Sequence, residues 1–127
     1  MKNTILLTLL IVICCFGCSR NEDDPFSFCD VTNPTQELTW LKTEIENRNN
    51  NPTQDMKYCY IAWAKFKGQD IIFYGDCNPL VNKVIPFYNC KGELLNQTEL
   101  GINISTIDQI KNIWTPSNFV CENPMIS

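Results

Sequence analysis

The side chains that can carry chemistry in this sequence are its eight cysteines and its carboxylates, because the chain has no histidine. Without histidine, Ser-His-Asp and Cys-His catalysis and His-containing zinc or haem sites are excluded within this chain. Asp70 and Asp76 flank a predicted strand, but their spacing indicates no glycosidase pair, and we interpret them as solvated strand ends. The five glycines form no phosphate-binding loop, and no acidic run has calcium-loop spacing. We therefore expect no enzymatic activity, no cofactor and no metal.

The first three cysteines belong to a segment that predicts export. An apolar run at 5–13 is too short to span a membrane and is typical of a secretory signal. Gly17-Cys18 resembles the lipobox of bacterial lipoproteins, in which the cysteine is acylated and begins the mature protein. Cys15 stands where that box usually has leucine. The sequence predicts a signal peptide at 1–17, lipidation of Cys18 and attachment to a membrane through the lipid.

A short acidic run follows the predicted lipidation site. It resembles the signal that sends lipoproteins of Bacteroidetes-type bacteria to the outer face of the outer membrane, and the alternative is a plain solvated tether. The residues of this candidate export signal are Ser19, Arg20, Glu22, Asp23 and Asp24. We expect a lipid-anchored outer-membrane protein with a tether at 18–28.

The cysteines of the mature domain predict disulfides, because secretion places them in an oxidising compartment. They are Cys29, Cys59, Cys77, Cys90 and Cys121. No two of these five have CxxC spacing, which argues against a zinc site. The odd number leaves one thiol over. We expect bridges Cys29–Cys121 and Cys77–Cys90 with Cys59 as a buried free thiol, and the main alternative pairs Cys59 with Cys77.

One helix is predicted at the start of the domain. Asn33 is a good N-cap, Pro34 suits the first helical position, and Gln36 completes a capping box. An apolar stripe at helical spacing follows, made of Leu38, Leu41 and Ile45. The Asn-rich run at 46–52 ends the helix, and we place Trp40 in the core beside the stripe.

Strand-like segments follow this helix and predict an antiparallel meander. They lie at 58–67, 70–74, 84–90, 93–95 and 113–114, with a turn at 68–69 and a short helix at 105–110. Pro86 confines the third strand to an edge or a bulge. We predict a single α+β domain at 29–127, with one N-terminal helix packed on a meander of about four to five strands.

The first predicted hairpin is crowded with aromatic residues. Alternation along a strand puts Trp63 on one face, and Tyr58, Tyr60 and Phe66 on the other. One set should be core, and the other is a candidate binding face if it stays partly exposed. The alternative is that both faces of the sheet are covered.

Three segments resemble small lipoproteins of uncharacterised function from Bacteroidetes. Asn33-Pro34 followed by 38–42 resembles their "NPL…LPWLK" opening, with Thr39 in place of proline. Residues 88–93 resemble their "YDC.G" hairpin, and 113–121 resembles their "IW.P.N..C" ending. The resemblance implies location and architecture and carries over no catalytic residue.

The functional expectation follows from size, charge and export. A formal net charge of −4 argues against nucleic acid as a partner. We expect a surface-exposed outer-membrane lipoprotein that is a non-catalytic binding or inhibitor module for an unidentified protein or glycan. The alternatives are an envelope structural or assembly accessory and, less favoured, a hydrolase that uses carboxylates alone.

Overall fold

A computed structural model describes residues 27–122 of the chain. The predicted signal peptide, the lipidation site and the acidic run lie outside the described residues. The helices are α1 (Pro34–Glu37), α2 (Thr39–Asn50) and α3 (Gln97–Leu100), the strands are β1 (Cys59–Phe66), β2 (Gln69–Asp76), β3 (Phe87–Tyr88) and β4 (Asp108–Trp114), and 3₁₀ turns lie at Gln54–Tyr58 and Ile104–Thr106. No helix in this part of the chain is long and apolar enough to cross a membrane.

The strands form one four-stranded antiparallel sheet in the order β3-β2-β1-β4. This confirms the predicted mixed α+β class. The simple meander is wrong, because the chain leaves β3 at one edge and returns to pair β4 with β1 at the other. Ile102 and Ile107 on that return are buried against the sheet, so the crossing connection covers one face.

Both faces of the sheet carry a hydrophobic core. The helix-side core contains Phe28, Leu41, Ile61, Trp63 and Ile72. The loop-side core contains Tyr60, Ala62, Ala64, Phe66, Ile71, Phe73, Phe87, Ile102 and Ile107. The predicted alternation along β1 is confirmed, and the alternative in which both faces are covered is the one that the structure adopts. Trp40 is half-buried and packs against the helix-side core.

The hairpin turn lies one residue earlier than predicted. Phe66 pairs with Gln69, so the two turn residues are Lys67 and Gly68, with φ of 49° and 79°. Two positive φ angles match the type I′ turn, whose twist suits two-residue hairpins. Gly68 adopts this backbone at little cost, whereas Lys67 departs from the usual Asn or Asp.

The helical segments also depart from the predicted ones. Leu38 is extended and separates α1 from α2, where the sequence predicts one helix. The helix predicted at 105–110 is wrong, because a short 3₁₀ turn capped by Asn103 leads into β4 at Asp108. Gln109 in β4 has a φ of 51°, and the pairing of β1 with β4 is irregular along its length.

The bridges are Cys29–Cys90 and Cys77–Cys121, so the predicted pairing of the four cysteines is wrong. Cys59 is the free cysteine of the described chain, as expected. The predicted pairs do not form because the β1–β2 hairpin is long enough to hold their two members at opposite ends. The hairpin-turn pole, at Lys67–Gly68, holds Cys29, whose N–H donates to Asp70 at 2.8 Å, and Cys90, whose sulfur lies 3.7 Å from the Asp70 carbonyl.

The loop pole is the opposite end of the hairpin, where Cys59 pairs with Asp76. Cys77 and Cys121 both lie there, beside the Tyr58 carbonyl. Six residues of β2 separate the two poles, which is roughly 20 Å of strand. A disulfide spans Cα atoms about 4.4–6.8 Å apart, and the observed bridges span 5.5 and 6.1 Å. Each predicted pair would have joined opposite poles.

Candidate functional site

The candidate site lies at the loop pole, where residues 77–86 form a loop between β2 and β3. The Asp76 carboxylate accepts the Asn78 N–H at 2.8 Å, and the Asn78 side chain accepts the Leu80 N–H at 3.0 Å. Such Asx turns favour a tight loop over a continued strand. The Pro86 carbonyl accepts the Tyr74 N–H at 3.3 Å, which returns the chain to the sheet.

A cavity of about 390 Å³, open to solvent, lies between this loop, the end of the β1–β2 hairpin and the last turn of α2. We call it the loop cavity. Its polar lining residues are Arg48, Cys59, Asp76, Asn82 and Lys83, and the others include Tyr74, Val81, Val84, Ile85 and Pro86. A cavity of this volume lies at the lower end of small-molecule sites.

Arg48 is held in place by one ion pair and two aromatic rings. Its Nε lies 2.7 Å from Glu44, one helical turn earlier. The guanidinium carbon is 4.6 Å from the centre of the Tyr74 ring and 5.8 Å from that of Trp114, distances at which a cation is attracted to a ring face. Burial, followed by the Glu44 charge, raises the pKa of Tyr74, so its hydroxyl stays neutral at physiological pH.

Asp76 supplies the carboxylate among the lining residues of the cavity. It forms an ion pair with Lys83, and the Cys59 thiol lies 3.8 Å from its Oδ2. Burial opposes the charged form, but the hydrogen bonds from Lys83 and from the Asn78 N–H together hold the pKa of Asp76 below its usual value. The carboxylate is therefore ionised at neutral pH, with Lys83, the Asn78 N–H and the Cys59 thiol as its donors.

The Cys59 thiol faces this carboxylate and is half-buried. Burial first, and the nearby Asp76 charge second, raise the pKa of Cys59. A thiol with a raised pKa holds little thiolate at neutral pH, so it is a poor nucleophile. Cys59 is more useful as a reporter of the cavity than as a catalyst.

Asp70 marks the other pole. Its carboxylate accepts the Trp63 indole N–H at 3.0 Å and the Cys29 N–H, and it pairs with Lys65. Burial opposes the charge, yet these contacts lower the pKa of Asp70. Cys29, Asp70 and Cys90 place potential metal-ligand atoms within 4.8 Å of one another, but both sulfurs are in the bridge and cannot act as thiolate ligands.

The residues named from the sequence separate into three groups. Of the candidate binding face, Tyr60, Trp63 and Phe66 are 3–7% exposed and lie in two different cores, so they form no exposed face, and Tyr58 is half-buried in a 3₁₀ turn. The interpretation of Asp70 and Asp76 as solvated strand ends is wrong, because both carboxylates are largely buried and hydrogen-bonded. Cys18 and the acidic run are outside the described residues.

No sequence pattern indicates that Arg48, Tyr74 and Lys83 form a group. These residues come from α2, β2 and the loop, and only the fold brings them to one cavity. The Asn78-Pro79 dipeptide correctly marks the start of the loop, but nothing in it indicates that the loop folds back over the sheet.

Exposed aliphatic side chains lie on the loop and beside it. Leu80, Val84 and Leu94 are 90%, 82% and 66% exposed. Val84 and Leu94 also line a second, more open depression that continues along 94–98. A comparison with protein families, curated proteins and solved structures finds no match to this chain.

Proposed function

We propose that this protein is a lipid-anchored outer-membrane protein, exposed at the cell surface, whose domain is a non-catalytic binding or inhibitor module. The lipobox-like Gly17-Cys18, the acidic run after it and the resemblance to small Bacteroidetes lipoproteins support the location. Phe28 packs on Trp63 at the hairpin-turn pole. An anchor at Cys18 is joined to that pole by a tether of at most about 34 Å. The loop pole lies at the other end of the hairpin from this attachment, and we call it the distal pole.

The observation that carries the binding role is a set of exposed aliphatic residues on the loop at that pole and beside it. Single exposed apolar residues are ordinary, but a group that adjoins a cavity is typical of an interaction site. Val84 and Leu94 line the second depression together, and Leu80 lies on the same loop as Val84. We call these three residues the apolar rim. Aliphatic residues favour a protein over a glycan as the macromolecular partner, since the aromatic residues of β1 are buried.

The state of the acid–base groups supports a non-catalytic role. Asp70 and Asp76 have lowered pKa values, and each accepts hydrogen bonds from neighbouring groups of the fold. Cys59 has a raised pKa. A general acid or base needs a pKa near the working pH, and a nucleophilic thiol needs a lowered one, so these groups are shifted in the wrong direction.

An envelope assembly accessory is the second candidate, and one feature favours it. Among the described strands, β4 pairs with β1 alone, so its outer edge is open. An open edge can accept a strand from another protein. That mode would use β4 and leave the apolar rim free, which makes the two candidates separable.

The test compares full-length variants on living cells. Wild type should incorporate labelled fatty acid and Cys18→Ala should not, and alanine at Glu22, Asp23 and Asp24 should keep the lipid but reduce antibody labelling of intact cells. After surface crosslinking, Leu80→Asp should lose partners that wild type captures. Leu100→Asp, which alters a 40% exposed leucine elsewhere, is the matched control. Identical captures by all three proteins would contradict the binding role of the rim.

A further inference from the structure

Arg48 presents the loop cavity with a guanidinium that the fold positions but does not saturate. Within the described residues its side chain makes one hydrogen bond, from Nε to Glu44 at 2.7 Å. A guanidinium has five N–H donors, so the terminal Nη groups keep four of them. The guanidinium carbon lies 4.6 Å from the centre of the Tyr74 ring, a cation–π contact that holds the head group beside the ring. A planar fork of donors matches the two oxygens of a carboxylate.

The charges that line the cavity differ in where their partners lie. Lys83 is paired with Asp76 inside the cavity wall. Arg48 is paired through its Nε with Glu44, which is not a lining residue, so its counter-charge lies outside the cavity. The loop adds the aliphatic residues Val81, Val84 and Ile85 to the lining, with Asn82 and Lys83 between them in the chain. A ligand complementary to Arg48 and to these aliphatic residues has one carboxylate and an apolar body.

We propose that the loop cavity binds small carboxylates with an aliphatic body, with Arg48 holding the carboxylate and the valines of the loop contacting the body. This deepens the proposed function and rests on it, because it names what the distal pole recognises. The same chemistry is offered by a free branched short-chain acid and by the C-terminal carboxylate of a peptide that ends in an aliphatic residue.

Cys59 lies in the cavity wall and supplies the readout. The experiment measures the alkylation rate of Cys59 by N-ethylmaleimide in the full mature lipoprotein, with increasing 4-methylpentanoate, N-acetyl-leucine or N-acetyl-leucinamide. For a Kd of about 2 mM, about 10 mM acid should slow alkylation about sixfold by mass action. The uncharged amide should leave the rate unchanged. Protection by N-acetyl-leucine alone identifies a peptide terminus, and protection by both acids identifies the free-acid chemistry.

Variants assign the effect to Arg48. Arg48→Gln should abolish protection and Arg48→Lys should weaken it, whereas Lys42→Gln, an exposed charge on the same helix, should behave as wild type. Val84→Asp places a carboxylate on an 82% exposed wall position and should weaken binding of the acids without unfolding the protein. Each protection factor is taken against the same variant without ligand, because charge changes also alter the thiol.

Three results would overturn the proposal: no protection by either acid, equal protection by acid and amide, or protection that survives both Arg48→Gln and Val84→Asp. The outcome is separable from that of the proposed function. If the acids do not protect Cys59 but surface crosslinking still captures a Leu80-dependent partner, only the proposed ligand class is rejected. If the acids protect Cys59 but the protein is not lipidated or captures no Leu80-dependent partner, only the proposed surface role is rejected.

Discussion

Replacing Gly92 by alanine should destabilise the domain more than the same change at Gly68, although both glycines have left-handed backbones, with φ of +81° and +79°. A Cβ in that region costs about 1–2 kcal/mol in unfolding free energy. At Gly68 no atom lies within 4 Å of the new Cβ, so we expect only that cost. At Gly92 the Cβ would lie 2.7 Å from Cδ2 and 2.8 Å from Cγ of Trp40.

Trp40 has little freedom to move away from that clash. Its indole N–H donates to the Cys90 carbonyl at 2.9 Å, and its ring lies 6.0 Å from the ring of Tyr88. Overpacking of this kind costs about 1–3 kcal/mol. Gly92→Ala should therefore lose about 2–5 kcal/mol, as the sum of the backbone and steric costs.

Urea unfolding of the oxidised protein measures this difference, and a double-mutant cycle isolates its cause. In a Trp40→Leu background the steric part should disappear, which gives a coupling energy of about 1–3 kcal/mol between positions 40 and 92. Equal losses for Gly92→Ala and Gly68→Ala, or no coupling to position 40, would refute the packing of Trp40 on this turn.

Three further predictions follow from the described contacts. Peptide mapping without reductant should find the two bridges of the structure and a free thiol at Cys59, and reduction should cost about 4 kcal/mol per bridge in the chain-entropy model; any peptide that links Cys59 to another cysteine would contradict this pairing. Asp76→Asn should lower the pKa of Cys59 and speed its alkylation at neutral pH, because the carboxylate raises that pKa; an unchanged or slower reaction would show that Asp76 does not act on the thiol. Asp70 has a lowered pKa, so its contribution to stability is present above the unfolded pKa and is lost as pH falls through the folded value; an Asp70→Asn variant whose acid unfolding curve matches wild type would contradict that contribution.

Local patterns predicted the central hairpin, because alternation along 59–66 is a property of the strand itself. The same reasoning failed at the turn, which Lys67 enters with a positive φ that is uncommon for lysine. It also failed at β4, where Ser105 and Asp108 resemble a helix cap. In the structure Asn103 caps a short 3₁₀ turn instead, and the following residues are extended against β1.

The bridges and the cavity were not predictable from local patterns, because both depend on which pole each segment reaches. The neighbouring positions of Cys77 and Cys90 along the chain favoured a short covalent loop. The strand between Asp70 and Asp76 holds them roughly 20 Å apart. Arg48 in turn meets the loop only because α2 packs over the helix-side core, which sequence spacing alone does not specify.

The two bridges also determine how the domain would carry mechanical load. The shortest covalent path from Cys29 to Cys121 uses both disulfides. It runs through the bridge to Cys90, along the backbone to Cys77, and through the second bridge to Cys121. Fully extended, that covalent path measures about 55 Å, against roughly 310 Å for the backbone without bridges. A protein held by its N-terminus and pulled near its distal pole would therefore stretch briefly and then resist as a short covalent strap, even after its sheet had come apart.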